Sequence, residues 1–466
     1  MSQACVNKQW HEVSLSEINS YQTQSVQPKK FPDEIFELWS VPNFPTDKPE
    51  IISGHEIGSS KQSVASQDVL ICKINPRINR VWKVGEASEY RKIASSEWIV
   101  FRQPIVESRF FLRFFQSAKF RDKLCTDVSG VGGSLTRAQP KKVATFSVPL
   151  PPLAEQKVIA DTLDTLLAQV DNTKARLERI PEILKCFRQS VLAAAVSGRL
   201  TEEWRDNNSN LELFASSIKS LTEFRDRELA SLPDQWAWLS FEKVANIASN
   251  LVDPSSDPGA IHIAPNHIES GTGFISEYQT VAIDGVTSSK HRFYKGQILY
   301  SKIRPYLCKV AVAPFDGLCS ADMYPISSKL ETNYLYRWML SLLFTDWASN
   351  AGSRSVLPKI NQKDLNKIPV PTPPMQEQIE IVRRVDQLFA YADTVECQVN
   401  SALARVNQLN QSILARAFRG ELTAQWRADN PELISGENSA EALLERIKEE
   451  RAAQAPTKRT RKKATT

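Results

Sequence analysis

The chain carries one long segment twice. SVPLPPLAEQKVIADTLDTLLAQVD runs from residue 147 to 171, and PVPTPPMQEQIEIVRRVDQLFAYAD runs from 369 to 393. Aligned without a gap at an offset of 222, residues 148–205 and 370–427 share 21 identities in 58 positions. The identities gather at the two ends. VPxPPxxEQ places Pro151, Pro152, Glu155 and Gln156 against Pro373, Pro374, Glu377 and Gln378. QSxLAxAxxGxLTxxWR places Gly198 against Gly420 and closes on Trp204–Arg205 and Trp426–Arg427. Self-similarity of this length means a duplicated unit and a pseudo-symmetric fold.

The duplication reaches further. QWHEVSLSEI from Gln9 matches QWAWLSFEKV from Gln235, and SSKQSVASQDVLICKINPRINRV from Ser59 matches SSKHRFYKGQILYSKIRPYLCKV from Ser288. Each half therefore reads as a variable globular region followed by a more regular segment. A length of 466 residues agrees, being too much for one ordinary core.

Within the regular segments, the Pro-rich runs enter extended, because a residue preceding proline avoids the helix. A heptad seam follows. In the first copy it comprises Ile159, Leu163, Leu166, Val170, Thr173, Leu177, Ile180, Leu184, Phe187 and Val191. In the second it comprises Ile381, Val385, Leu388, Ala392, Val395, Val399, Ala402, Val406, Leu409 and Ile413. Gly198 and Gly420 fall where helix C-caps belong. The spacing predicts two helices of about 45 residues, roughly 65–70 Å each, with a kink at Pro181 only. Heptad helices commonly serve packing alone. Two of them, each behind a related globular region, point to an antiparallel coiled coil acting as a spacer between those regions.

The globular regions read as mixed α/β. DVLICKI and GQILYSKI are strand-like, while FFLRFFQSAKF and NYLYRWMLSLLF have the spacing of short helices with a buried face. After each strand comes a kinked basic segment. Lys73, Asn75, Arg77, Asn79 and Arg80, around Pro76, form the first; Lys302, Arg304, Tyr306 and Lys309, around Pro305, form the second. Such side chains hold phosphates, and Arg and Asn also address base edges with paired hydrogen bonds. Ser59, Ser60 and Lys61, matched by Ser288, Ser289 and Lys290, add donors of the kind that contact phosphates. Residues 132–142 and 352–363 are further basic loops suited to backbone contact. For any single Lys or Arg here, a solvated strand edge explains the residue equally well. The basic run at 458–463 is a solvated tail or a DNA-brushing one.

Chemistry is harder to find. There is no GxxxxGK[ST] loop and no [DNS]PP[YF] tetrapeptide, and GVGG at Gly130 lacks a strand–helix context. The five histidines show no HExxH spacing; His262 and His267, five apart, are a weak metal pair. The seven cysteines lack a CxxC pair. With no signal peptide and no long apolar run, the expectation is free thiols in a reducing cytoplasm and no membrane contact. A net charge of +5 permits an anionic partner without demanding one.

The order VPxPPxxEQ, long helix, GxLT, twice per chain, resembles the specificity subunit of type I restriction–modification enzymes, over essentially the whole length. SKIRP at Ser301 and CKINP at Cys72 resemble that family's strand motif, and the segment from Phe418 onward is similar to its enterobacterial IA branch. The resemblance implies an α+β chain of six parts. These are a target-recognition domain over 1–150, a spacer helix over 151–205, a linker with a short helix over 206–232, a second recognition domain over 233–370, a second spacer helix over 371–427, and a short helix with a basic tail over 428–466. It implies a non-catalytic reader of a bipartite, asymmetric site in double-stranded DNA, each domain reading one half. The PPxxEQ and glycine positions become a spacer and subunit-interface motif. Partners would be two modification (methyltransferase) subunits and restriction/translocase subunits. S-adenosylmethionine, ATP and Mg2+ would sit on those partners, with no cofactor or metal on this chain. Two other readings stay open at this stage: a DNA-modifying enzyme with a divergent site fused to its own reader, and a plain coiled-coil scaffold.

Overall fold

A computed structural model describes residues 9–86, 88–126, 128–129, 136–208, 219–350 and 358–454. The chain divides into two compact units. Residues 1–177 with 402–466 form the first, and 178–401 form the second. The division cuts both long helices, so each unit owns the start of one and the end of the other.

Each unit closes on the Pro-rich run. His11–Ser14 pairs antiparallel with Ser147–Leu150, Val13 facing Val148; Ala237–Ser240 pairs the same way with Pro369–Thr372, Leu239 facing Val370. These are two-stranded ribbons, and a proline is tolerated there because its missing N–H belongs on a free edge. Above them lies a five-stranded sheet. In the first unit its order is Ser25–Val26, Lys61–Ser63, Arg91–Ala94, Ile35–Trp39, Glu50–Ser53; in the second, Leu251–Val252, Lys290–Phe293, Gly317–Ser320, Ile261–Ile263, Gln279–Thr280. Both sheets carry one parallel pair at the same place, Ile35–Trp39 with Arg91–Ala94 and Ile261–Ile263 with Gly317–Ser320. A smaller sheet holds the DVLICKI strand, Val69–Cys72, in one unit and its counterpart Ile298–Ser301 in the other. The short helices fall where expected: Ser108–Gln116 buries Phe110, Phe111, Phe114 and Phe115, and Thr332–Met339 buries Tyr334, Leu335, Trp338 and Met339.

The two arms are Leu153–Glu178 continued by Ile180–Val196, and the unbroken Met375–Phe418. Pro181 lies in the first turn of Ile180–Val196 and ends the helix before it, since its ring offers no N–H to the preceding turn. Within the first unit, Leu163 and Leu167 share a core with Leu414, Ala417 and Phe418. Within the second, Val191, Leu192 and Ala195 share one with Ile381 and Val385. Start meets end in both, which is antiparallel packing. Arg188 adds ion pairs to Asp393 at 2.6 Å and Glu396 at 2.9 Å.

One column of the expected seam is closed along most of its length. Leu163, Val170, Leu184 and Val191 are buried, as are Val385, Ala392, Val399 and Val406, at seven-residue steps or multiples of them. Leu177 of that column is half-buried; in the other column Ile159 and Ile381 are buried, Leu166, Ile180 and Phe187 are half-buried, Thr173 is exposed, and Leu409 is 44% exposed. Near the ends Leu167 and Leu414 are buried in place of Leu166 and Ile413, the drift of a 3.6-residue helix against a 3.5-residue repeat. Gly198 and Gly420 both adopt φ of +78°, the left-handed helix stop. A Cβ on Gly198 would also come within 2.6 Å of Pro233 Cγ.

The repeated motifs are explained by a reciprocal lock. Glu155 is fully buried and accepts from Trp10 Nε1 at 2.8 Å, Thr423 Oγ1 at 2.6 Å and Arg427 Nη1 at 2.5 Å. Glu377, also fully buried, accepts from Trp236 Nε1 at 2.8 Å, Thr201 Oγ1 at 2.7 Å and Arg205 Nη1 at 2.6 Å. Each arginine spends its other nitrogen on the glycine stop of its own copy, Arg427 on Gly420 O and Arg205 on Gly198 O, both at 2.8 Å. The glutamate of one copy thus grips the GxLTxxWR of the other. The neighbouring Gln156 donates to Pro151 O and accepts from Glu107 N, whose side chain caps Ser108–Gln116. Gln378 repeats this with Pro373 O and Glu331 N. The expectation of a subunit-interface motif is thereby narrowed: Glu155, Gln156, Glu377 and Gln378, along with the buried Pro151, Pro152, Pro373 and Pro374, face inward and join the chain to itself.

Of the linker, residues 209–218 lie outside the described residues. The part that follows is a hairpin, Glu223–Phe224 with Arg227–Glu228, turning on Arg225 and Asp226 at positive φ. The helix Ala440–Gln454 packs Leu443 and Ile447 into the first unit's core, and Arg451 donates to the Ser16 carbonyl. The basic run at 458–463 lies outside the described residues.

Candidate nucleic-acid interface

Each unit presents the same turn after its strand. Asn75 and Asn79 sit in the left-handed region at φ +47° and +49°, bracketing a single 3₁₀ turn, Pro76–Ile78. Arg304 and Cys308, both at φ +48°, bracket Pro305–Leu307. Non-glycine residues in this region cost roughly 1–2 kcal/mol each, and here the strain occurs at four equivalent places. Pro76 and Pro305 are buried as the pivot; Arg77, Ile78, Arg304 and Tyr306 are exposed, the last at 54%. Asn79 Nδ2 donates to Gln116 O at 2.9 Å and Lys309 Nζ to Pro265 O at 2.6 Å, so these two brace the turn. Arg80 is half-buried.

A second strip of chain runs beside each turn. Asn75 N donates to Thr136 O and Ala138 N to Lys73 O; Arg304 N donates to Pro358 O and Ile360 N to Lys302 O. The described ends of the basic loops 132–142 and 352–363 therefore lie against the turns, as isolated bridges between Ile74 and Arg137 and between Ile303 and Lys359 also record. Residues 132–135 and 352–357 are outside the described residues.

Behind the first turn an acidic residue stands between two basic ones, and behind the second its counterpart pairs with one. Arg137 Nη2 lies 3.2 Å from Glu97 Oε1, and Lys73 Nζ lies 3.9 Å from Glu97 Oε2. In the second unit Lys359 Nζ lies 3.1 Å from Asp322 Oδ1, while the Lys302 ammonium stands 5.1 Å over the Tyr324 ring. Burial pushes Lys302 below the usual lysine range, with Lys359 adding to the shift and Asp322 opposing it. The sequence did not single out Arg137, Lys359, Glu97 or Asp322.

The serine–lysine pairs also coincide. Lys61 Nζ donates to Ser59 Oγ at 2.6 Å, and Lys290 Nζ to Ser288 Oγ at 2.7 Å and Ser288 O at 2.6 Å. Lys290 is only 5% exposed, and burial depresses the basicity of both lysines. Ser59, Ser60, Ser288 and Ser289 are exposed. In the first unit Ser60, Lys61 and Lys73 line one concavity of about 450 Å³ with Tyr21 and Trp98. The structure thus gathers the first unit's two basic elements around one hollow; Lys290 is too enclosed for direct contact with a large ligand.

His262 Nδ1 pairs with Asp284 at 2.7 Å, and His267 Nδ1 accepts from Ala264 N. Among the described residues no group of three His, Cys, Asp or Glu is placed to hold a metal ion, and no helix is long and apolar enough to cross a membrane. The six described cysteines are free.

Two homologous α/β modules, each fused to half of an antiparallel helix pair and each offering a strained polar turn, define a duplicated recognition protein. The chain belongs to the type I restriction modification DNA specificity domain family, whose model matches residues 7–182 and 261–405. It is 64% identical over 336 residues to the type I restriction enzyme EcoDI specificity subunit of Escherichia coli, covering 72% of this chain and 76% of that one. To the EcoKI specificity subunit of Escherichia coli strain K12 it is 40% identical over 380 residues, covering 78% and 76%. In fold it is similar to the HsdS subunit from Thermoanaerobacter tengcongensis, with a TM-score of 0.60 at 20% identity over 89% of this chain and 98% of that one. A chain from a structure of type I R-M complex assembly gives 0.67 at 19% identity, over 88% and 98%. The protein is a specificity subunit of the enterobacterial type IA kind, the non-catalytic component that recognises the DNA target of a type I restriction–modification enzyme.

Proposed function

We propose that this chain directs restriction and adenine methylation to a bipartite, asymmetric site in double-stranded DNA, one half read by each unit. The supporting observation is a turn of identical backbone and unlike side chains, present once per unit: Asn75, Arg77 and Asn79 against Arg304, Tyr306 and Cys308. Identical scaffolding with different tips suits two related readers with different targets. The exposed Arg77, Arg304 and Tyr306 are the candidates for base edges; Lys73, Arg80, Lys302 and Lys309 suit phosphates. Dividing recognition multiplies specificity, since each wrong base pair costs about 1–3 kcal/mol.

The arms are the ruler between the halves. A 44-residue helix is about 66 Å long, and B-DNA repeats about every 34 Å, so the scale fits a gap of one to two turns. Two modification subunits would supply S-adenosylmethionine and the methylating site, and restriction/translocase subunits would supply ATP- and Mg2+-dependent motion and cleavage, all in the cytoplasm where the DNA is. Mapping methylated adenines in a host that carries the chain with its partners tests this. Two short constant runs with a fixed unspecified gap are expected; a single unbroken motif would contradict it.

A further inference from the structure

We infer that Glu97 and Asp322 are positioning residues that hold the basic pairs Lys73/Arg137 and Lys302/Lys359 in place and suppress their binding to DNA of any sequence. The inference rests on the reading above and adds a residue type that charge alone would exclude from a DNA-binding face.

The two residues are equivalent by register. Cys72 faces Trp98 across the small sheet of the first unit, and Ser301 faces Met323 across that of the second. The acidic residue precedes the facing residue in each case, and the lysine follows its partner. Lys73 N donates to Glu97 O at 3.1 Å and Lys302 N to Asp322 O at 2.9 Å. The second base arrives on the neighbouring strip through the bridges at Arg137 and Lys359. The same three stations, base–acid–base, are therefore brought together twice from three separate chain segments; in the second unit the Lys302 ammonium rests over Tyr324 and feels Asp322 through space.

The triad sets charge as well as place. Two bases against one carboxylate leave a net +1 in each unit instead of +2. No hydrogen bond reaches Glu97 Oε2, so Lys73 is held there by charge at 3.9 Å and can turn to another oxygen. Arg137 and Lys359 remain about half exposed, at 53% and 50% of their side chains, within reach of a phosphate. A carboxylate beside them competes with every phosphate equally. Only a duplex that also satisfies the turn offsets that competition, which lowers sequence-independent affinity more than specific affinity.

The test measures binding of the full chain, assembled with its modification subunits, to target and scrambled duplexes between 50 and 200 mM salt. Glu97→Gln should tighten binding to the scrambled duplex and steepen its salt dependence by about one phosphate contact, a further threefold to fourfold change across that range. The preference for target over scrambled DNA should fall. Glu97→Asp should restore wild-type behaviour, since Asp322 holds the same station natively. Asp322→Asn and Asp322→Glu should repeat the pattern. Arg137→Gln should do the reverse of Glu97→Gln and flatten the salt slope, which also serves if Glu97→Gln folds poorly. Unchanged scrambled-DNA affinity and slope in Glu97→Gln, or equal weakening on both duplexes, would overturn the inference. If exchanging the turns changes the recognised sequence while these variants stay silent, the triad idea alone has failed. If the wild-type assembly cannot tell target from scrambled DNA, the reading beneath it has failed too.

Discussion

The two units share a skeleton and differ at the tips. Sheet order, the place of the parallel pair, the glycine stops, the buried glutamate and the two left-handed residues of the turn all recur. What changes is the exposed chemistry: each turn carries two cations, but Arg77 and Ile78 stand out in the first where Arg304 and Tyr306 stand out in the second. The residues that build the lock have been kept between the copies, and the exposed residues of the turns have not. That is the pattern expected of one scaffold made to address two different surfaces.

The strongest way to break the comparison is at the lock. Glu155→Ala would leave Arg427, with 7% of its side chain exposed, charged and without its carboxylate, and should cost about 3–5 kcal/mol in urea unfolding. Glu377→Ala strands Arg205, at 13% exposure, and should cost somewhat less. Equal, negligible losses would mean the locks are ornaments of the repeat. The arms offer a contrast of size. Leu403→Pro would copy the Pro181 break into the continuous helix and should cost about 3 kcal/mol. Pro181→Leu, where the helix has already ended at Glu178, should shift thermal unfolding little.

The smallest expected effect lies in a contact only the second unit has. Glu380 pairs with Arg383 and Arg384, and Arg384 also reaches the Leu200 carbonyl. Val158 and Thr162 hold the matching places in the other copy. Arg383 chiefly, then Arg384, draw the Glu380 carboxyl down to about 2. A lowered folded value means stabilisation present above the ordinary value near 4.5 and lost as pH falls from there through 2. The pair is partly solvated, so about 1 kcal/mol or less is involved. Glu380→Gln should remove that much of the acid dependence measured by unfolding across this window; an unchanged profile would assign the pair no weight.

Much of this architecture was legible because duplication writes it twice. The arms, their antiparallel sense, the glycine stops and the strand–turn segments followed from spacing and repetition. The lock was visible only as a motif: nothing local says that Glu155 meets Thr423 and Arg427, some 270 residues away. The repeated Gln–Trp at 9–10 and 235–236 was the available clue, since each tryptophan completes its lock. Lys290 looked like a phosphate donor and is enclosed, its ammonium bound to Ser288. The triads depend on strand register and on loops that cross it, which composition does not reveal.

The central claim is that each unit reads its own half of the target. Replacing Asn75–Arg80 with the Arg304–Lys309 sequence, then mapping methylated adenines, tests it most directly. One half of a bipartite motif should change while the other half and the gap persist. A motif altered in both halves, or in neither, would contradict the account.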